Sequence, residues 1–190
     1  MPALENYEGG EGHTFMKDEK QPRRTKTVTW ENPRIARSHA RKLSGSEFFD
    51  KMRRGEIPEP PFGRLLGMDL FDAGEGHFVM TLEPQEVHYN PMGCVHGGIL
   101  ATLLDSVMSA AVHTALPVGR GYLTLEIKVN FLRPVFEATG EIIAEGNVVS
   151  LGKQVATAEG KITDAKGNLH ATGTATCIVF DAAAGPPSQE

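Results

Sequence analysis

HGGILATLLDSVMSAAVHTAL, residues 96–116, is the stretch on which the reading of this 190-residue chain turns. From Ile99 to Leu116 there are 18 residues and one formally charged side chain, Asp105. A carboxylate in an apolar segment disfavours burial unless it is paired or hydrogen-bonded. Gly97 and Gly98 allow close approach of another backbone or a ligand. They also open a helix, where unpartnered N–H groups favour negative charge. Polarising donors at one end and a carboxylate about two and a half turns on can together support attack on a carbonyl. The pattern predicts an acyl-transfer site.

The same stretch is long enough to span a bilayer, but Asp105 near its centre would cost about 2.5–3.5 kcal/mol on insertion scales. A buried core helix over residues 97–116, ended by Pro117, is the expectation, with no membrane span. A lone apolar helix buries itself only against a sheet or other helices, and the flanking sequence supplies strands. Met68–Phe71 and His77–Leu82 read as two strands around the turn AGEG. Tyr122–Leu132 carries the clearest strand signal. Leu123, Leu125, Ile127, Val129 and Phe131 alternate with Tyr122, Thr124, Glu126, Lys128 and Asn130. This places the first set on the core side and Thr124 on the polar face, unless a bulge re-aims it. Glu141–Ser150, Lys153–Asp164 and Leu169–Phe180 follow as a meander. The predicted class is α+β, a long central helix wrapped by a curved antiparallel sheet.

Ahead of this unit, residues 1–44 form an N-terminal extension. Residues 1–31 are polar and aperiodic and are expected to be mobile or loosely docked. From Lys20 to Lys42 there are eight basic residues and one acidic one. Asn32-Pro33 predicts a capped start to a short basic helix over Pro33–Lys42. Ser44 with Glu47 predicts a capping box. Phe48, Phe49 and Met52 form the apolar side of the helix that follows, IPEPP acts as a stiff connector, and residues 182–190 read as a disordered tail. The compact domain is expected over 45–181.

The net charge of −5 argues against a general nucleic-acid binder. It divides into +3 for residues 1–44 and −8 for the remainder. Cys94 and Cys177 show no metal-ligand or CxxC spacing. With no signal peptide at the N-terminus, a reducing, cytoplasmic setting is expected.

NPMGCVHGGILATLLD at 90–105, GEIPEPP at 55–61, TLEIKVNFLRP at 124–134 and the Gly152-Lys153 turn resemble the hotdog-fold thioesterases of the phenylacetic-acid-degradation type. An Asn six residues before the His of HGG and an Asp nine after it carry most of the likeness, which spans roughly residues 45–180. The resemblance implies a helix wrapped by an antiparallel sheet, and protomers paired edge to edge into a dimer or a dimer-of-dimers homotetramer. It also implies active sites shared between protomers. The implied substrates are acyl- or aryl-coenzyme A thioesters, with no metal and no cofactor beyond the coenzyme A of the substrate.

Carried over residue by residue, the resemblance makes Asp105 the base or nucleophile and Gly97 the amide donor to the oxyanion. His96 and Asn90 orient the thioester or water, and Thr124 holds the attacking water. Arg133 and Lys153, and less so Lys128, are the candidate groups for coenzyme A phosphates. His77, His88 and His113 are expected to be structural, and Cys94 has no base placed to make it a nucleophile. Met108, Leu104 and Phe131 are expected to set pocket width. Two other readings stay open. One is a non-catalytic acyl-coenzyme A-binding or regulatory protein, kept alive by the basic segment 20–42. The other is a hotdog dehydratase, which the Asp spacing fits poorly.

Overall fold

The computed structural model describes residues 23–184. Four helices and six strands run in the order α1 Arg34–Ala40, α2 Gly45–Arg53, α3 Pro61–Leu66, β1 Met68–Gly74, β2 His77–Leu82, α4 Gly97–Thr114, β3 Arg120–Phe131, β4 Ile142–Leu151, β5 Val155–Asp164 and β6 Leu169–Asp181. The strands form one antiparallel sheet in the order β1-β2-β4-β5-β6-β3. α4 touches all six strands. Leu103, Leu104, Val107, Met108, Ala111 and Val112 on it are fully enclosed. This is the hotdog arrangement that the resemblance implies.

The helix lies so close to the sheet that side chains are missing beneath it. Gly146, Gly160 and Gly173 sit side by side on β4, β5 and β6. A Cβ on Gly146 would lie 2.3 Å from the Val107 carbonyl oxygen, and one on Gly160 would lie 2.9 Å from Met108. Leu104 and Met108 therefore fill the groove that the glycines leave, which is why these two are core residues.

The N-terminal signals are realised locally. Asn32 Oδ1 accepts the Arg34 N–H at 3.0 Å at the head of α1. Ser44 and Glu47 form the reciprocal capping box of α2. The connector after Ile57 is shorter than expected, because Pro61 opens the short helix α3 and Gly67 ends it at φ 72°. Two prolines followed six residues later by Gly were the available signal. Residues 23–33 have no regular structure. Arg24 pairs with Glu86 at 2.5 Å, and Thr29, Trp30 and Glu31 line a surface cavity together with Met52 and Ile57. The expectations for residues 1–22 and 185–190 fall outside the described residues.

β3 corrects the sequence reading. Its pairing with β6 shifts between Thr124 and Glu126, so Leu125 is the extra residue of a bulge. One inserted residue inverts the alternation beyond it. Before the bulge Tyr122 and Thr124 pair with the inward-facing Val179 and Cys177. After it Ile127, Val129 and Phe131 pair with Ala175, Gly173 and Ala171 on the same inner side. Leu123 and Leu125, predicted inward, are exposed. β3 is also an edge strand, so even Ile127 and Phe131 remain 37% and 54% exposed.

Candidate active site

Asp105 lies midway along α4, half-buried and facing the start of β3. The bulge turns Thr124 inward, and its hydroxyl donates to Asp105 Oδ1 at 2.9 Å. Asp105 borders a cavity of about 480 Å³. Ser106, Ser109, Ala110 and His113 continue the α4 wall, Phe48, Phe49 and Met52 come from α2, and Phe78 and Met80 from β2. Tyr122 closes the side next to Thr124. A carboxylate with a hydroxyl donor thus stands on the wall of a mainly apolar chamber, whose lining also includes Arg37 and Glu59. The chamber falls within the size range of small-molecule sites.

Desolvation sets the state of the neighbouring groups. Burial pushes the Tyr122 hydroxyl up to about 12, against a hydrogen bond from Ser109 that lowers it. Tyr122 therefore stays a protonated donor near neutrality. Burial holds His113 down at about 4. Its ring sits 5.4 Å from Phe48, 5.3 Å from Phe49 and 5.1 Å from Tyr122. Burial among these rings favours the neutral imidazole. Burial also raises the thiol of Cys177, the cross-strand neighbour of Thr124.

The remaining motif residues gather at the N-terminus of α4. His96 is the N-cap, its Nδ1 accepting the Gly98 N–H at 2.8 Å. A Cβ on Gly98 would lie 2.8 Å from that nitrogen, so glycine keeps the cap clear. Asn90 braces the preceding loop: its Oδ1 accepts the Met92 N–H at 2.8 Å and the Cys94 N–H at 3.4 Å. Asn90, Cys94, Gly97, Phe131 and Arg133 line a second cavity, of about 310 Å³. Gly97 is the first helical residue, and its N–H has no carbonyl a turn earlier to bond.

The structure thus divides the predicted site into two groups on one helix. Eight residues at 1.5 Å rise separate Gly97 from Asp105, about 12 Å along the axis. A carbonyl polarised by one would lie far beyond reach of the other. The sequence argument that one helix presents both groups to one carbonyl fails for a single protomer.

Comparison with known proteins agrees with the fold. A sequence model of the thioesterase superfamily matches residues 92–171. A provisionally named esterase of Saccharolobus solfataricus is 35% identical over 138 residues, which are 73% of this chain and 87% of its own length. The chain belongs to the thioesterase superfamily. That membership puts it among the thioester hydrolases. A provisionally named esterase of Halobacterium salinarum is 38% identical over 100 residues, 50% of this chain, and the match spans 64% of that relative's length. Human acyl-coenzyme A thioesterase 13 is 28% identical over 117 residues, 60% of this chain and 82% of its own. The crystal structure of a phenylacetic acid degradation-related protein from Ralstonia eutropha JMP134 superposes with a TM-score of 0.63. It is 31% identical, and the match covers 68% of this chain and 98% of that one.

The basic residues expected to meet coenzyme A phosphates do not converge within this thioesterase-superfamily protomer. Arg133 follows the end of β3, where its guanidinium donates to the Leu169 carbonyl at 2.7 Å. Lys153 sits in the β4–β5 turn, beside the start of β3, where its carbonyl accepts from Arg120 at 2.5 Å. The 12 residues of β3 lie between them, roughly 40 Å at 3.3 Å per residue. Lys128 is on the outer face of the sheet with Glu145, Glu159 and Lys161. Sequence reasoning missed Tyr122 beside Asp105, because an unbroken alternation puts it on the polar face of β3. The i+4 spacing already sets Ser109 on the Asp105 side of α4. Among the described residues no three His, Cys, Asp or Glu side chains gather closely enough to hold a metal ion, and no helix is long and apolar enough to cross a membrane.

Proposed function

We propose that this chain hydrolyses acyl- or aryl-coenzyme A thioesters to the free acid and coenzyme A, with Asp105 as base or nucleophile. The observation that carries the reading is the Thr124–Asp105 hydrogen bond on the wall of the apolar cavity. The carboxylate is oriented by the hydroxyl and keeps a second oxygen for water or substrate. In the general-base form, Asp105 takes a proton from water as the water oxygen attacks the thioester carbon. The oxyanion is held by the Gly97 amide, the C–S bond breaks, and coenzyme A leaves as the thiolate. His96 and Asn90 orient the thioester beside Gly97, and Arg133 and Lys153 meet the coenzyme A phosphates.

The separation of Gly97 from Asp105 supports a site shared between two protomers. β3 is an unpaired edge with Leu123, Leu125, Ile127 and Phe131 exposed along it. Such an edge is a template for pairing with another strand. Antiparallel pairing of two β3 edges about a two-fold axis brings the start of one against the end of the other. Asp105 and Thr124 then face the partner's Gly97, Asn90 and Arg133, and Lys153 comes to the same end as that Arg133. The homodimer is the catalytic unit in this reading, and a homotetramer is a pair of such dimers. A cytoplasmic setting accompanies it, supported by two cysteines that form no disulfide.

The test is released thiol from a coenzyme A thioester panel running from acetyl through medium-chain to phenylacetyl and benzoyl, for wild type and Asp105→Asn. We expect turnover to fall by about 10² or more, the scale of general acid–base effects, with fold and assembly intact. Near-normal turnover in Asp105→Asn removes this residue from the mechanism. Binding without turnover in the wild type favours the regulatory reading. A single turnover in ¹⁸O water, read by mass at Asp105, separates nucleophile from base.

A further inference from the structure

The cavity beside Asp105 is roofed by a segment that the resemblance to the family does not cover. α1 contributes Ala36, Arg37 and Ala40 to its lining, with Pro33 at the helix start. Ala36 and Ala40 stand one turn apart on the same face and pack against the core. The helix has seven residues, none of them buried, and its main neighbour is α2. A helix docked only for stability fills its seat with large apolar side chains. Here Ile35 is 44% exposed to solvent, and α1 turns only Ala36, Ala40 and Arg37 to the chamber. A leucine or phenylalanine at either alanine would project into the chamber of about 480 Å³.

We propose that α1 is the roof of the acyl-binding chamber, and that Ala36 and Ala40 set the largest acyl group accepted. The ligand class is an uncharged, apolar acyl chain of medium length or an aryl-acyl group. Met52, Phe78 and Met80 provide walls of matching polarity, and the thioester carbon meets Asp105 at the polar side. This assignment rests on Asp105 being the reaction centre. The same roof makes acyl length, rather than the coenzyme A part, the quantity that this segment controls.

The experiment compares full-length wild type, Ala36→Phe, Ala40→Phe and the double variant Ala36→Gly/Ala40→Gly on coenzyme A thioesters from acetyl to palmitoyl, with phenylacetyl and benzoyl. The phenylalanine variants should lose about tenfold or more in kcat/KM on medium-chain and aryl substrates, the range a hydrophobic pocket discriminates. Acetyl and propionyl substrates should change by less than about threefold, which also reports that the variants are folded. The glycine pair should extend the profile toward longer chains. Profiles of unchanged shape in all three variants overturn the roof while leaving Asp105→Asn to judge the chemistry separately. If the wild type hydrolyses no member, calorimetric titration with free fatty acids of graded length reads the chamber directly. Loss of the longer acids in Ala36→Phe then upholds the roof, and equal affinities in wild type and variant overturn it.

Discussion

At the scale of single residues, the decisive contact is Thr124 to Asp105. Replacing Thr124 with Val keeps the shape and removes the donor. A hydrogen bond to a charged group contributes about 1.5–3 kcal/mol. Its loss should lower the melting temperature by several degrees. With the base no longer oriented, we expect kcat to fall by about ten- to a hundred-fold, within the scale of general-base effects. An unaltered kcat would make the hydroxyl a bystander. His113 predicts a pH effect of definite sign. Burial lowers its folded-state pKa to about 4 from the usual 6.5. Between those values the unfolded chain binds a proton that the native protein does not. Stability from this group is complete above pH 6.5 and declines as pH falls toward 4, by roughly 3 kcal/mol. Urea titrations at pH 7.5 and 4.5 should show a smaller loss in His113→Phe than in wild type. Asp164 acts in the same direction at lower pH. The Asn168 side chain and then backbone N–H groups hold its carboxyl at about 2, so its contribution is lost as pH falls from about 4 toward 2.

At the scale of elements, helix ends and turns followed local chemistry. The capping box at Ser44, the His96-Gly97-Gly98 start of α4 and the β-turns could all be read from nearest neighbours along the chain. β3 could not. Its alternation of Leu123, Leu125 and Ile127 with polar residues is regular in sequence, and nothing local announces that Leu125 is the inserted residue. The bulge forms because β3 must both pair with β6 and follow the curve of the sheet around α4. Its consequence is that Thr124 turns toward Asp105. The glycine row under α4 was equally silent: Gly146, Gly160 and Gly173 are far apart in sequence and adjacent only across strands. Gly146→Ala would set a methyl against the Val107 carbonyl at 2.3 Å. Overpacking of this kind costs about 1–3 kcal/mol. Chemical denaturation should show at least that loss, whereas substitution of the half-buried Gly74, with open space around it, should cost less.

At the scale of the whole molecule, the open β3 edge and the two separated halves of the site point to the same assembly. Leu125→Lys places a charge at the bulge on that edge, where the side chain is 62% exposed in the protomer. We expect the variant to remain folded by circular dichroism, to shift toward monomer by sedimentation velocity, and to lose activity in parallel. An active monomer would place the whole site within one chain. The amino-acid order by itself determined the long apolar helix with its lone carboxylate, the strands with their turns, and the family resemblance. These depend on periodicity, on glycine and proline placement and on short motifs, all local properties. The tertiary structure alone decided which face of β3 meets Asp105, that Tyr122 joins it, and that α1 lies over the chamber. Those outcomes depend on sheet curvature and on an inserted residue, which bring together residues that have no neighbourhood in sequence.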